Sequence, residues 1–207
     1  MSPRVSQEHL EQRRADILEA AKQVFIEQGY ERTTMKHVMD AAKVSRGGLY
    51  QYFANKEDLF ESLLENNISS TSKDNQEKLD EKVESYWDLL LLRIFGEERE
   101  PDDKIDPLAP SHLEFFITGR NDERRKQYGQ NRYYQGLKIY ADVLKAGQES
   151  GEFSSKYDCE ILARTIISFI DGLALDDAIL PKQDIKIKEQ SVMFVTYLKT
   201  ALGVSSQ

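Results

Sequence analysis

The sequence predicts an all-α protein, and two features carry that prediction. Apolar residues recur at intervals of three and four rather than two, which is the period of amphipathic helices. The chain has only 11 glycines and 5 prolines in 207 residues, too few for fibrous repeats or an extended disordered region. A hydrophobic content of 40% at this length is enough for one or two domains with a sizeable core.

Composition removes several classes of function. Cys159 is the only cysteine, which excludes an internal disulfide framework and a four-cysteine zinc site. His9, His37 and His112 are far apart in the sequence and lack metal-ligand spacing. The sequence has no Gly-rich phosphate loop and no G-x-S-x-G, so we expect no catalytic residues, no metal and no cofactor.

Hydropathy argues against a membrane protein. The longest purely aliphatic run is Leu89–Leu92, whereas a membrane-spanning helix needs about 20 apolar residues. The first residues, MSPRVSQEHLEQRR, lack the apolar stretch of a signal peptide. We therefore expect a cytoplasmic protein.

Charge is distributed unevenly along the chain. The formal net charge is −8, which alone disfavours nucleic-acid binding. Residues 1–56, however, contain 9 basic and 7 acidic side chains, whereas the rest of the chain contains 19 basic and 29 acidic ones. A weakly basic N-terminal block joined to an acidic body is consistent with a local DNA-facing surface.

The N-terminal block has the outline of a helix-turn-helix. Apolar spacing predicts a half-buried helix over 6–28 that stops at Gly29, a second helix over 34–42 and a short third helix over 45–52. Thr33 or Thr34 can cap the second helix, and Ser45 is a good N-cap for the third. Only two or three residues separate these last two helices, as in DNA-binding helix pairs.

Longer helices follow. A fourth helix begins after Asn55, which resembles the start of a capping box, and is either long and solvated or interrupted in the polar stretch 69–76. Further helices are predicted over 83–95, 109–119, 122–149, 156–179 and 185–202, with an acidic loop over 96–107.

The amino-acid sequence of residues 33–60 resembles the DNA-binding segment of the TetR family of transcriptional regulators. The matching positions are Thr34, Ala42, Val44, Ser45, Gly47, Leu49, Tyr50, Tyr52, Phe53, Asn55, Lys56, Glu57 and Leu59. The first helix is also similar to that of the family, through Ile17, Leu18, Ala21, Phe25, Gly29 and Tyr30. The resemblance is specific over about residues 10–64; beyond them it rests on length and helical character.

This resemblance implies a domain organisation. The expected fold is an N-terminal three-helix helix-turn-helix domain joined by a linking helix to a larger C-terminal helical domain for ligand binding and dimerisation. We set the domains at 1–56 and 57–207, with the linking helix over 56–80. A two-fold dimer would require a near-palindromic double-stranded DNA operator.

The third helix is expected to enter the major groove. Arg46 suits guanine, or alternatively a phosphate, and Gln51 suits adenine. Tyr50 can reach a phosphate or a thymine methyl, and the glycine pair lets the backbone approach DNA while Gly48 offers no side chain for reading. Thr34 lies where a helix N-terminus favours phosphate. The predicted DNA-binding residues are Thr33, Thr34, Lys36, Lys43, Ser45, Arg46, Gly47, Gly48, Tyr50, Gln51 and Lys56.

Plainer interpretations stand beside these. Val38, Leu49 and Phe53 are expected in the core, and Tyr52 is more readily packed than in contact with DNA. The lysines and arginines are alternatively a solvated face, and Gly47-Gly48 is alternatively a loop. For Lys56, a cation in the first turn of a helix is mildly disfavoured, which a phosphate partner would explain.

The C-terminal body contains most of the aromatic residues and would bind a small, largely apolar or aromatic effector. Ordinary core packing is the competing explanation for each residue. The candidate effector-binding residues are Trp87, His112, Phe115, Phe116, Arg120, Tyr134 and Phe169.

The last two helices are expected to form the homodimer. Helix 185–202 is apolar over a wide arc, so it needs two packing partners. In the family that the chain resembles, the last two helices form a four-helix bundle with those of a second subunit. The candidate interface residues are Leu162, Ile166, Phe169, Ile170, Leu173, Phe194, Tyr197, Leu198 and Ala201.

The sequence thus favours a DNA-binding transcriptional regulator, a repressor by family habit, that leaves its operator when a small molecule binds. Two alternatives stay open. One is a non-DNA-binding dimeric helical interaction module, and the other is an enzyme with a helical accessory domain.

Overall fold

The computed structural model describes residues 7–65 and 84–204, and these form helices and connecting loops without a β-strand. The helices are α1 (Gln7–Gln28), α2 (Met35–Ala42), α3 (Arg46–Tyr50), α4 (described over 56–65), α5 (Tyr86–Phe95), α6 (Ala109–Thr118), α7 (Glu123–Ser150), α8 (Cys159–Ile179), α9 (Lys182–Ile185) and α10 (Ile187–Leu202). A 3₁₀ turn, Gly119–Asn121, joins α6 to α7. The predicted all-α class is confirmed.

The first hydrophobic cluster holds α1–α4 together and also includes α6. Its centre is aromatic: the ring centroids of Phe25 and Phe60 lie 4.6 Å apart, and those of Tyr30 and Phe115 lie 4.8 Å apart. Phe115 belongs to α6, so the N-terminal helices do not complete their core alone. Aromatic pairs at these distances add a geometric preference to the burial of apolar area.

A second cluster forms the core of the body. It is built from buried residues of α5, α7, α8 and α10, including Trp87, Leu144, Ile166 and Leu198. Each of these helices contributes buried apolar residues to the cluster.

Helix α6 is attached to the end of α1 by polar contacts. The Ser111 hydroxyl donates to the Phe25 carbonyl at 2.7 Å, and a Glu114 carboxylate oxygen accepts from the Tyr30 N–H at 2.6 Å. The Thr118 hydroxyl donates to the Glu31 carboxylate at 2.7 Å. Positions 111, 114 and 118 share one face of a helix. We call Ser111, Glu114 and Thr118 the α6 clamp.

Several element boundaries differ from the prediction. Helix α3 ends at Tyr50 rather than at 52, and α8 begins at Cys159 because the Asp158 side chain caps it. The helix expected over 185–202 begins at Ile187 instead, since Lys186 has a φ of 52° and separates α10 from the short helix α9 that precedes it. The linking helix over 56–80 is described only to residue 65; its remainder lies outside the described residues.

Candidate nucleic-acid interface and effector site

The N-terminus of α2 is closed by a reciprocal cap. The Thr34 hydroxyl accepts from the His37 N–H at 3.3 Å, and His37 Nδ1 accepts from the Thr34 N–H at 3.4 Å. The role of His37 was not predicted, because the usual partner at this position is Glu or Gln. Thr34 and Lys36 are exposed at this end of the helix.

Thr33 does not belong to the DNA-facing set. Its side chain is buried, and its hydroxyl donates to the Gly29 carbonyl at 2.7 Å. Thr33 therefore stabilises the end of α1, and the prediction that it contacts DNA is wrong.

The turn between α2 and α3 is short. Lys43 ends α2 in the left-handed conformation, with a φ of 52°, and its side chain is exposed. Ser45 then caps α3 as predicted, since its hydroxyl accepts from the Gly48 N–H at 3.2 Å. Leu49 and Phe53 are buried in the first cluster and anchor the turn and α3, as expected.

The outer side of α3 presents polar groups. Arg46, Tyr50 and Gln51 are exposed, and the Arg46 guanidinium lies 5.4 Å from the centre of the Tyr50 ring. Tyr52, in contrast, packs against the first cluster. Helix α3 and the residue that follows it therefore offer three exposed side chains capable of hydrogen bonding to base edges or phosphates.

The two glycines of α3 have different surroundings. A Cβ atom added at Gly47 would meet nothing within 4 Å, whereas one at Gly48 would lie 3.3 Å from the Ser45 hydroxyl oxygen. The absence of a side chain at Gly48 thus has a structural role, because it leaves room for the Ser45 side chain that caps α3. Gly47 has no such role among the described residues, and its exposed backbone is accessible to a binding partner.

Lys56 has partners inside the protein. Its ammonium donates to the carbonyls of Tyr30 at 2.9 Å and Glu31 at 3.2 Å, and it lies 4.2 Å from the centre of the Tyr30 ring. These contacts explain a cation in the first turn of α4 without a phosphate. The phosphate partner that the sequence suggested for Lys56 is therefore not needed to explain a lysine at this position.

Arg14 is a cation near this surface that sequence reasoning did not single out. Its guanidinium lies 5.2 Å from the centre of the buried Phe53 ring. Arg14 and Phe53 are 39 residues apart in the sequence, and no local motif indicates that their side chains are close.

Comparisons with known proteins agree with this geometry. The family model "Bacterial regulatory proteins, tetR family" matches residues 17–63, and "Tetracyclin repressor-like, C-terminal domain" matches residues 96–188. The helix-turn-helix regulator YfiR of Bacillus subtilis (strain 168) is 32% identical over 204 residues, covering 98% of both chains. This chain belongs to the TetR family of transcriptional regulators.

Two further similarities support the assignment. The transcriptional repressor Rv1474c of Mycobacterium tuberculosis (strain ATCC 25618 / H37Rv) is 39% identical over 171 residues, covering 83% of this chain and 85% of the relative. The structure of Salmonella enterica GusR has a TM-score of 0.70 at 22% identity and covers 96% of this chain and 98% of its own, which is a likeness of fold. The protein is thus a DNA-binding transcriptional regulator with the helix-turn-helix in α2 and α3.

The predicted effector residues of this TetR-family regulator do not line one cavity. Trp87 and Phe169 belong to the second cluster, while Phe115 and Phe116 belong to the first. Tyr134 is exposed, and so is Arg120, which donates to the Ile117 carbonyl. The idea of a single aromatic pocket made by these seven residues is therefore wrong, because helical periodicity does not tell which aromatic residues share a face in space.

His112 is half-buried, and it is the one predicted effector residue with a buried side-chain polar atom that lacks a hydrogen-bond partner among the described residues. Its Nε2 has no hydrogen-bond partner among the described residues, and its ring lies 5.9 Å from that of Phe60. Burial lowers the pKa of His112 to about 4, although the Asp106 carboxylate opposes this effect and the Arg132 guanidinium adds to it. The imidazole is therefore neutral at pH 7.

Most of the predicted dimer residues are used inside one chain. Buried in its hydrophobic clusters are Leu162, Ile166, Leu173, Phe194, Leu198 and Ala201. Phe169 stacks on Phe194 with 4.0 Å between ring centroids, and Ile170 is half-buried. Only Tyr197 of the set is exposed. Burial within one chain leaves Phe169, Ile170 and Tyr197 as the members of this predicted set that a second subunit could still contact.

A different face of α8 and α10 is apolar and exposed. In α8 it includes Ile161, Gly172 and Ile179, and in α10 it includes Met193 and Tyr197. Met193 and Ile179 are 69% and 66% exposed, values that are unusual for large apolar side chains. We call these five residues the α8–α10 face.

Metal ligands and membrane spans were also sought. Within 7–65 and 84–204, no group of three or more His, Cys, Asp or Glu side chains is arranged to hold a metal ion. None of the helices in those two segments has the length and apolar character needed to cross a bilayer.

Proposed function

We propose that the protein is a homodimeric repressor that binds a near-palindromic operator through α3 and releases it when a small, largely apolar molecule binds the body. The main observation is the outer side of α3, where Arg46, Tyr50 and Gln51 are exposed beside the bare backbone of Gly47. The assignment as a repressor is also supported by the relative Rv1474c, which is named a repressor.

The DNA contacts divide into two kinds. Arg46 and Gln51 read base edges, with Arg46 matched to guanine and Gln51 to adenine. Thr34, Lys36, Lys43 and Ser45 hold phosphates around the helix pair, since they are exposed at or next to the helix ends. Base contacts set the sequence preference, and phosphate contacts set the salt dependence.

The effector is held at His112. A neutral imidazole with a free nitrogen suits an uncharged polar group, such as a hydroxyl or carbonyl, on an apolar molecule. Leaving Nε2 unpaired costs free energy, and a ligand would recover it. His112 is next to Ser111 of the α6 clamp, so effector binding acts on the helix that contacts α1.

Binding to DNA is tested with a fluorescent fragment from upstream of the gene, by anisotropy over a range of salt concentrations. We expect steep loss of affinity with salt. Arg46→Ala should lose about 1–3 kcal/mol of discrimination at one base pair, whereas Lys36→Ala should weaken all sequences alike and lower the salt slope by about 1.

The same experiment separates the alternatives. An interaction module or an enzyme would bind the fragment no better than unrelated DNA of equal length. If Arg46→Ala weakened all sequences equally, Arg46 would be a phosphate contact instead of a base contact. Selection of the operator from random DNA would then identify the reading residues.

A further inference from the structure

A groove lies on the side of α6 opposite the aromatic core. Its volume is about 880 Å³, within the range of about 300–1,000 Å³ that is usual for small-molecule sites. Its walls come from the end of α1, the outer side of α6, the segment 103–107, the end of α8 and the start of α10. We call it the outer groove and define it by Ile26, Leu113, Ile117, Leu175, Asp177 and Lys182.

The outer groove is separate from the proposed effector site. Its lining includes Ser111, Leu113 and Glu114 of α6 but not His112, which is turned toward the Phe60 ring. A molecule in the outer groove would therefore not replace a molecule at His112.

The charges of the outer groove are arranged by depth. The Asp177 side chain is 11% exposed and lies in the wall, whereas Lys182 is 86% exposed at the rim. Lys104 is also at the rim, and its ammonium is already 3.2 Å from both Glu98 and Asp102. The other two carboxylates of the lining each accept from a backbone N–H: Glu114 from that of Tyr30, and the exposed Asp103 from that of Lys188. The deep charged group whose oxygen lacks a hydrogen bond is thus the carboxylate of Asp177.

Asp177 is incompletely satisfied. Its Oδ1 is buried and has no hydrogen-bond donor among the described residues. The nearest cation is the Lys182 ammonium at 3.6 Å, which is too far for a hydrogen bond. A buried carboxylate that lacks hydrogen bonds is unfavourable, and an ammonium that approached more closely would stabilise it. Lys182 indicates the chemical group that this carboxylate attracts.

We propose that the outer groove binds a small amphipathic molecule with a protonated amine. The amine displaces the Lys182 ammonium and donates to Asp177, and the apolar part lies against Leu113, Ile117 and Leu175. An acid of the same shape is disfavoured, because Asp177 would repel its carboxylate and the two ammonium groups of the lining, Lys104 and Lys182, already face carboxylates of the protein.

The position of the outer groove gives this ligand a route to the DNA-binding helices. All three residues of the α6 clamp line it, together with Ile26 and Gly29 of the segment that the clamp holds. Any difference in amine affinity between the DNA-bound and free protein must appear equally in operator affinity.

Dansylcadaverine, a fluorescent apolar group on a chain that ends in a primary amine, is a suitable probe. Titration into the full-length protein should raise and blue-shift its emission, while dansyl-6-aminohexanoate, which ends in a carboxylate, should not bind. Asp177→Asn should weaken amine binding about tenfold or more. Lys182→Ala should strengthen it, because the competing ammonium is removed.

Three variants serve as controls. Asp184→Asn makes the same charge change at an exposed residue that does not line the groove, and it should leave binding unchanged. Ala178→Trp fills the groove and should abolish binding, whereas His112→Ala should not affect it.

The proposal is overturned if the carboxylate probe binds as well as the amine, or if Asp177→Asn and Lys182→Ala both bind the amine like the wild type. Loss of binding in His112→Ala together with full binding in Ala178→Trp would also overturn it, because the probe would then bind at the proposed effector site at His112. Lys182 is a surface residue, so its variant tests the proposal even if Asp177→Asn fails to fold.

Discussion

The adjacent glycines of α3 show how one residue type can serve two purposes. Gly48 leaves room for the Ser45 hydroxyl, which a Cβ would approach to 3.3 Å, while Gly47 has open space around it. Neither glycine has a positive φ, so neither is needed for a left-handed turn. A helical glycine costs about 1 kcal/mol relative to alanine. For Gly47, no contact among the described residues compensates for that cost.

We therefore expect Gly47→Ala to stabilise the free protein by up to about 1 kcal/mol and to weaken operator binding at least about tenfold, because its methyl group would face the DNA. Urea unfolding and operator anisotropy measure the two effects. Gly48→Ala is the matched control and should gain less stability, since its methyl group crowds Ser45. Unchanged operator affinity in Gly47→Ala would mean that the backbone at residue 47 does not approach DNA closely.

His112 makes stability depend on pH. Its pKa is lowered to about 4 in the folded protein by burial, so the unfolded chain binds a proton between about pH 6.5 and pH 4 that the folded chain does not. Stability should therefore fall as the pH falls through this window, by as much as about 3 kcal/mol. His112→Gln should remove this part of the slope in urea unfolding measured at pH 7, 6, 5 and 4. Parallel slopes in both proteins would show that His112 titrates alike in the folded and unfolded states.

Some residue roles follow from local sequence and others do not. Ser45 as a cap and Leu49 as core were predicted, because caps and apolar periodicity are local signals. Thr33 and Thr34 are alike in sequence, and only the fold buries the first and exposes the second. Lys56 finds its partners, the carbonyls of Tyr30 and Glu31, 26 and 25 residues away. No pattern around Lys56 reveals such a contact.

At the scale of elements, α6 joins the DNA-binding helices to the body. Its apolar side contributes Phe115 to the first cluster, and its clamp residues bind the end of α1. Arg125 of α7 reinforces the junction, since it donates to the Phe115 carbonyl and lies 5.1 Å from the centre of the Tyr30 ring. A shift of α6 would therefore displace the α1–α2 connection.

Removing one clamp contact tests this junction. Glu114→Ala should leave the Tyr30 N–H without its acceptor and destabilise the protein by about 1–3 kcal/mol. Hydrogen exchange at the Tyr30 amide should accelerate in proportion. Glu123→Ala, which removes an exposed acid from the first turn of α7, is the control; it should change stability by less than about 1 kcal/mol and should not selectively accelerate exchange at the Tyr30 amide. Normal protection of the Tyr30 amide in Glu114→Ala would rule out the clamp as the link between α1 and α6.

The positions of the helices could be predicted from the sequence better than the faces by which the helices pack. Helix positions followed from periodicity and caps, apart from the break at Lys186, whose positive φ a lysine does not signal. Leu162 and Ile166 of α8, which the sequence predicted for the dimer interface, are buried within one chain, whereas Ile161 and Ile179 of the same helix are exposed. Apolar residues mark burial, and sequence does not tell burial within a chain from burial between chains.

At the scale of the whole molecule, the α8–α10 face is the surface by which we expect two chains to associate. Large apolar side chains such as Met193 and Ile179 are mostly exposed in the single chain, and exposed apolar surface of this kind typically marks an interface. Gly172 lies on the same side of α8 with open space where a Cβ would stand, which lets another helix approach closely. A two-fold axis through this face would present two α3 helices to two half-sites.

Met193→Glu should therefore convert the protein to a monomer, because burying an unpaired carboxylate in the interface is costly. The monomer should keep its weak affinity for one half-site and lose most of its affinity for the full operator, where the second α3 otherwise binds at a high effective concentration. Sedimentation velocity and anisotropy on half-site and full-site DNA measure both effects. Val192→Glu places the same charge at the neighbouring residue, which turns toward Pro101 and away from this face, and should remain dimeric. A dimeric Met193→Glu protein would place the interface on another surface, and equal losses on half-site and full-site DNA would attribute the effect to misfolding instead of dissociation.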